Sequence, residues 1–221
     1  MLTLLNPYRH PTPIVVPVVE DWVIDIDPVQ NHSIPRSSFG DVAGAFLLCI
    51  QSIRSLDPLT PSGFTSIIGA WSGNNIGLRI SYQFSSAPGG NINVVDFGKD
   101  SIVAIFRLSG VHPGSPIAAN NHTIATTSSP TAPSVTTPAN DALVFSILAA
   151  DDGDITIDAG YPAGYDGYFL RNTPPSADCS LGVATKLQGS AGATGTAAWS
   201  LTASEETVAA TVAIAAQSPT P

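Results

Sequence analysis

Apolar and polar residues alternate through most of this chain with a period of two, the repeat of a pleated strand whose successive side chains point to opposite faces. The pattern is clearest near the C-terminus, where Val208, Ala210, Val212 and Ile214 share one face and Thr207, Ala209, Thr211 and Ala213 the other. Leu181 to Gln188 and Thr196 to Ala215 therefore read as consecutive strands joined through a glycine-rich turn, with Ala203-Ser204-Glu205-Glu206 as a polar hairpin loop and Trp199 facing the core. Such a strand pair is marginal alone, so it predicts a larger sheet to complete it.

The same rhythm supplies that sheet from Asp41 onward. Ala43 to Ile53, Ser66 to Trp71, Gly77 to Phe84, Asn91 to Phe97 and Ser101 to Leu108 read as strands, separated by turn-forming clusters such as Ser72-Gly73-Asn74-Asn75 and Ala87-Pro88-Gly89-Gly90. Gly77 to Phe84 sets Leu78, Ile80, Tyr82 and Phe84 against Arg79, Ser81 and Gln83, predicting one wet face; Ser101 to Leu108 is apolar on both faces, predicting cover on each. Residues 117 to 140, rich in Ala, Thr, Ser, Pro and Asn, read as a long connection between sheets with one short strand at Thr123 to Thr127. Asp141 to Ala150, Ile155 to Ile157 and Tyr165 to Leu170 complete the set. About ten to twelve short strands at this spacing predict an all-β fold, an antiparallel β-sandwich of jelly-roll-like kind.

Residues 1 to 40 break the rhythm. Pro7, Pro11, Pro13, Pro17, Pro28 and Pro35 recur too closely for a helix or a central strand, yet Ile14, Val15, Val16, Val18, Val19, Trp22, Val23, Ile24 and Ile26 are strongly apolar. A solvated linker would not carry them. The pattern predicts an extended proline-rich N-terminal arm over residues 1–40 ahead of a sandwich domain over 41–221, with those apolar residues as partner-binding positions that dock on a neighbouring subunit.

Composition narrows the partners. A hydrophobic fraction of 43% against 11% charged residues gives enough apolar material for a real core and too few charges for a disordered chain. The net charge of −9, with only eight Lys plus Arg, leaves no basic stripe to neutralise phosphates, so direct nucleic-acid binding is not expected. No apolar run approaches the ~20 residues of a membrane-spanning helix, and Met1-Leu2-Thr3-Leu4-Leu5 lacks the basic region of a secretory signal. The expectation is synthesis in a cytoplasm, with no membrane partner.

Candidate chemistry is sparse. Asp151, Asp152, Asp154 and Asp158 surround a glycine and offer hard oxygen ligands for calcium, but their spacing is not that of an EF-hand loop and a solvated turn explains them as well. Glu20, Asp21, Asp25 and Asp27 read either as an acidic edge seeking a basic partner or as the wet face of an extended segment. His10, His32, His112 and His122 lie in loop-like sequence without metal-ligand spacing or a nucleophile elbow, and read as surface histidines. Gly189 to Gly195 lacks the lysine and helix of a phosphate loop. Tyr161, Tyr165, Tyr168 and Trp71 suit either a sugar platform or ordinary packing. Cys49 reads as a buried apolar residue and Cys179 as a loop residue, and a cytoplasmic origin argues against a disulfide between them. No catalytic constellation emerges, and neither a metal nor another cofactor is expected.

Several segments together resemble a β-sandwich module that recurs in bacteriophage virion proteins. They are Gly40-Asp41 with its apolar strand, Pro61-Ser62-Gly63-Phe64, Leu78 to Phe84, Ile105 to Gly110 followed by Ser115-Pro116-Ile117, Thr131-Ala132-Pro133-Ser134-Val135, Asp141-Ala142-Leu143-Val144, and Gly192-Ala193-Thr194-Gly195-Thr196-Ala197-Ala198-Trp199. They span most of residues 40 to 215, and their order along the chain carries the likeness; the proline-rich arm is outside it. The resemblance implies a structural or accessory virion component with no shared catalysis. The expectation is a non-enzymatic capsid decoration (cement) protein, located in the virion and oligomeric, whose arm docks on the major capsid protein or neighbouring copies. A tail or fibre component binding a host-surface glycan or protein is the alternative, and a jelly-roll glycan hydrolase a more distant one.

Overall fold

The computed structural model describes residues 15–27, 31–54, 57–73, 75–86, 89–97, 99–151, 160–172 and 179–217. Ile14, the expected strand Ile155 to Ile157 and the carboxylates Asp152, Asp154 and Asp158 lie outside them. The first half of the chain forms β1 (Val18–Asp27), β2 (His32–Pro35), a 3-10 turn (Arg36–Phe39), β3 (Phe46–Arg54), β4 (Thr65–Ser72), β5 (Ile76–Phe84), β6 (Asn91–Val94) and β7 (Ser101–Ser109). The second forms β8 (Ile117–Thr127), β9 (Thr131–Ala132), β10 (Thr136–Thr137), β11 (Ala142–Asp151), β12 (Asp166–Asn172), β13 (Cys179–Gln188), β14 (Gly192–Ala193), β15 (Ala197–Ala198) and β16 (Glu205–Ile214). No α-helix occurs among the described residues.

Two five-stranded sheets carry the fold, in the orders β1-β7-β3-β5-β4 and β12-β13-β11-β16-β8, and their strands pair antiparallel throughout. Each is drawn from one half of the chain, and residues 110–116 make the crossing between them. The sheets face each other as a sandwich. Ile50, Leu78 and Phe106 of the first sheet and Phe145, Val183 and Val212 of the second belong to one buried cluster. Each such side chain, removed from water, contributes roughly 1.5–3 kcal/mol before ordering costs. The all-β antiparallel sandwich expected from the alternation is thus the fold observed.

Both outer faces are covered as well. On the first sheet the β2–β6 ribbon and the 3-10 turn bring Ile34, Phe39, Ile92 and Val94 onto Leu47, Cys49, Val103 and Ile105. On the second, the short pairs β9–β15 and β10–β14 carry Ala132, Val135, Ala197, Trp199 and Leu201 onto Val144, Leu148, Ala184, Ala209 and Ala213. This double cover explains why β3, β7, β11 and β16 are buried on both parities, as the sequence of β7 already indicated.

Three expectations change in detail. Trp199 is buried as predicted, but in the outer cluster, on a crossing segment whose indole Nε1 donates to Ser146 Oγ at 3.0 Å. Glu205 and Glu206, read as a hairpin loop, begin β16. Residues 117–127, read mainly as connection, form an eleven-residue edge strand paired with β16 from Ala119 to Thr127 and again at Ile117, with a register break at Ala118. Its Asn, His and Thr residues lack the apolar alternation because residues 120–124 are exposed on both parities.

The largest difference concerns the arm. Val18 to Asp27 is strand β1, hydrogen-bonded along β7 from Val18↔Ser109 to Asp27↔Ser101. Trp22 lies between the sheets, 5.3 Å from the Phe169 ring and 6.3 Å from that of Phe106. Pro17 and Pro28 only bracket the strand, so its own N–H groups remain available for pairing. Without β1, β7 would lose its outer neighbour and the Trp22 pocket would stand open. Val19, Trp22, Val23, Ile24 and Ile26 are therefore packed within their own subunit, whereas Val15 and Val18 stay about half exposed.

Candidate functional site

The most concentrated polar chemistry lies where β1, β2 and β7 meet. His32 is buried, with Nδ1 3.1 Å from Asp25 Oδ2 and Nε2 2.6 Å from Ser101 Oγ. The Ser101 hydroxyl also lies 3.2 Å from Asp96 Oδ2, and the Asp96 N–H donates to Asn31 Oδ1 at 2.9 Å. Alternation along β2 turns His32 inward together with Ile34, and β7 supplies Ser101 as its first residue.

The connectivity acid–imidazole–hydroxyl is that of a nucleophile activated by a base. Its surroundings do not suit that use. Ser101 is 0% exposed, and its hydroxyl donates to Asp96 Oδ2 while lying 2.6 Å from His32 Nε2. Of the acid, imidazole and hydroxyl groups, Asp25 reaches solvent, its side chain 44% exposed, while His32, Ser101 and Asp96 are buried. As built, the chain of contacts ties β1, β2, β7 and the turn after β6 together. Phe97, beside Asp96, adopts φ 57 and is 56% exposed, a left-handed conformation that costs a non-glycine residue of order 1–3 kcal/mol.

A second buried cluster closes the opposite end of the N-terminal segment. Arg36 Nη1 donates to Asp41 Oδ2 at 2.7 Å, and Ser85 Oγ donates to the same carboxylate oxygen at 2.8 Å. Gly40, at φ 61, lets the 3-10 turn end so that the Asp41 N–H reaches Arg36 O. The nearby cleft, about 550 Å³, is lined by backbone and apolar groups from Val42 to Phe46, by Phe84 and by Arg107 to Val111. Among the described residues Arg107 is its one charged side chain, and Arg107 Nε donates to Phe39 O at 3.0 Å. Such a cleft can bind but holds no acid–base pair.

The expected partner-binding residues are not gathered into an open face. Val19, Trp22, Ile24 and Ile26 pack on the main core and Val23 on the β2–β6 side. Val15 is half exposed and bridges to Gln217, Val16 is half-buried, and Val18 is 50% exposed; Ile14 lies outside the described residues. The aromatic platform also disperses. Tyr168 joins Trp22 and Phe106 between the sheets, Tyr161 stacks edge-on against Trp199 beyond the second sheet, and Trp71 stands 50% exposed on β4. Of the histidines, His122 is exposed as expected, whereas His112 accepts the Gly114 and Ser115 N–H groups through Nδ1 and His32 is buried.

Neither Cys49 nor Cys179 is in a disulfide; both are buried, on different faces of the fold, and Cys179 begins β13 instead of lying in a loop. Burial pushes the Cys49 thiol up to about 12. Among the described residues no group of three or more His, Cys, Asp or Glu side chains is arranged to hold a metal ion. The Asp25–His32–Ser101–Asp96 chain escaped sequence reading because its members lie on four separate segments. The one local signal was His32 two residues from Ile34, in phase with the buried parity of β2. No protein-family model, curated protein or solved structure matches the chain.

Proposed function

We propose that the protein is a non-enzymatic structural component of a bacteriophage virion, a capsid decoration subunit that binds other virion proteins. The observation that supports this reading best is where the polar side chains go: Asp25, His32, Ser101, Asp96, Arg36, Asp41 and Ser85 bind strands and turns to one another inside a doubly covered sandwich. That is the construction of a rigid body rather than of a reaction centre. The order of segments resembling phage virion sandwiches supports the location. In this reading β1 stiffens the subunit and contacts with the shell fall to exposed surface. The alternative, a tail or fibre component binding a host-surface glycan, draws on the exposed Trp71 and Tyr161. Gold-labelled antibody raised against the purified chain should mark the heads of the particles whose genome encodes it. Label on tails would favour the alternative, and unlabelled particles would sink both.

A further inference from the structure

The four sheet edges differ in how they are defended. An edge strand exposes a row of unpaired N–H and C=O groups, and monomeric proteins blunt such rows with charge, bulges or shortness. Edge β1 carries Glu20, Asp21, Asp25 and Asp27 and a register break between Val19 and Asp21. Edge β12 carries Asp166 and Arg171 and breaks between Gly167 and Phe169. Edge β4 breaks between Ser66 and Ile68, and the Arg79 guanidinium lies across its Gly69, held by Pro58 O, Ser66 Oγ and Asp57 Oδ1.

Edge β8 breaks register at Ala118, between Ile117↔Ile214 and Ala119↔Ala213, and from Ala119 to Thr127 it has none of these devices. Its sequence, Ile117-Ala118-Ala119-Asn120-Asn121-His122-Thr123-Ile124-Ala125-Thr126-Thr127, contains no Asp, Glu, Lys, Arg or Pro. Pairing with β16 is unbroken from Ala119 to Thr127, and residues 120–124 are exposed. The His122 N–H bonds the side-chain oxygen of its neighbour Asn121 at 2.9 Å, so it is turned away from β16. By the two-residue repeat Asn120 and Ile124 present their backbone groups on the same outer side. Among the described residues no strand pairs with that side.

We propose that β8 is a self-association edge and that its occupant is β8 of a second copy, running antiparallel about a two-fold axis at His122. The strand midpoint is His122, so full overlap sets Asn120 against Ile124, Asn121 against Thr123 and His122 against its own copy. In that register the outward-turned residues 120, 122 and 124 of each strand face outward-turned residues of the other, as a hydrogen-bonded antiparallel ladder requires. An isologous contact of this kind closes after two copies and joins the second sheets into one. Charge also selects it: for a chain of net −9, two copies approach with least repulsion along a long strand that carries no charge. This inference stands apart from where the protein works.

Sedimentation velocity of the full chain across a concentration series tests it, read together with amide hydrogen exchange. The expected result is a concentration-dependent monomer–dimer equilibrium in which the amides of Asn120, His122 and Ile124 gain protection as the dimer forms. His122→Lys sets two like charges opposite each other at the axis and should weaken the dimer about tenfold or more. His122→Pro, which removes only an outward N–H, should do the same, while Thr65→Lys on the β4 edge should leave it intact. Circular dichroism and thermal melting check that each variant folds. A wild-type chain that stays monomeric at every concentration overturns the proposal, and so does a dimer that persists in folded His122→Lys and His122→Pro.

Discussion

Ser101 shows how much a single hydroxyl holds here. It is the group that both His32 Nε2 and Asp96 Oδ2 contact, in a place where water does not reach. Ser101→Ala removes the imidazole's partner without opening a large void, so the expected cost is about 1–3 kcal/mol, read as a lowered urea midpoint at unchanged slope. A loss below about 0.5 kcal/mol, the range of neutral surface changes, would show that the buried chain of contacts is not structural. Individual residues were legible in the sequence to the extent that a two-residue repeat could place them. Trp199, Cys49 and the faces of β16 were assignable because neighbours two positions away share their fate. His32 was not, since its partners are Asp25, Asp96 and Ser101, and what makes a polar residue burial-competent is a long-range partner that no local pattern announces.

Strand β1 carries the main lesson about elements. Its alternation of carboxylates with Trp22, Ile24 and Ile26 was visible, as was the need for those apolar residues to find cover; the identity of the cover was not. Proline spacing suggested an arm because Pro17 and Pro28 fall within a short stretch, yet they lie just outside the paired strand. Trp22→Ala tests the intramolecular placement: losing a ring packed against Phe106 and Phe169 should destabilise the isolated subunit by about 3 kcal/mol or more, measured by urea unfolding. A detached arm would leave that value unchanged. Gly110 tests the same segment from the other side. At φ 67, a Cβ there would stand 2.2 Å from Val16 O, so Gly110→Ala is expected to destabilise by more than about 1 kcal/mol. β8 shows the converse limit, for a strand exposed on both parities over residues 120–124 has little apolar alternation to read.

The whole molecule should resist base less well than neutral solution. Burial holds the Cys49 thiol up at about 12 from 9.0 and the Tyr165 phenol up at about 12 from 10.0. Above about pH 9 the unfolded chain therefore gives up protons that the folded chain keeps, and stability falls as pH rises toward 12. Lys186, lowered by burial, acts in the opposite direction over the same range. Urea midpoints at pH 8, 9.5 and 11 should decline in that order, and Cys49→Ala should flatten the decline; a midpoint that rises with pH would contradict the burial of these groups. The antiparallel sandwich itself was legible because alternation recurs in almost every segment, whereas the covering layers come from pairs of only four residues in β2–β6 and two in β9–β15 and β10–β14, too short to leave a clear repeat. Those layers change how the protein tolerates variation. In a sandwich with bare outer faces every second residue of a strand is free to drift, but in β3, β7, β11 and β16 neither parity is free. Saturation mutagenesis should find these strands uniformly intolerant, with permissive positions confined to edges such as β8, so surface novelty in this fold can enter only from its rims.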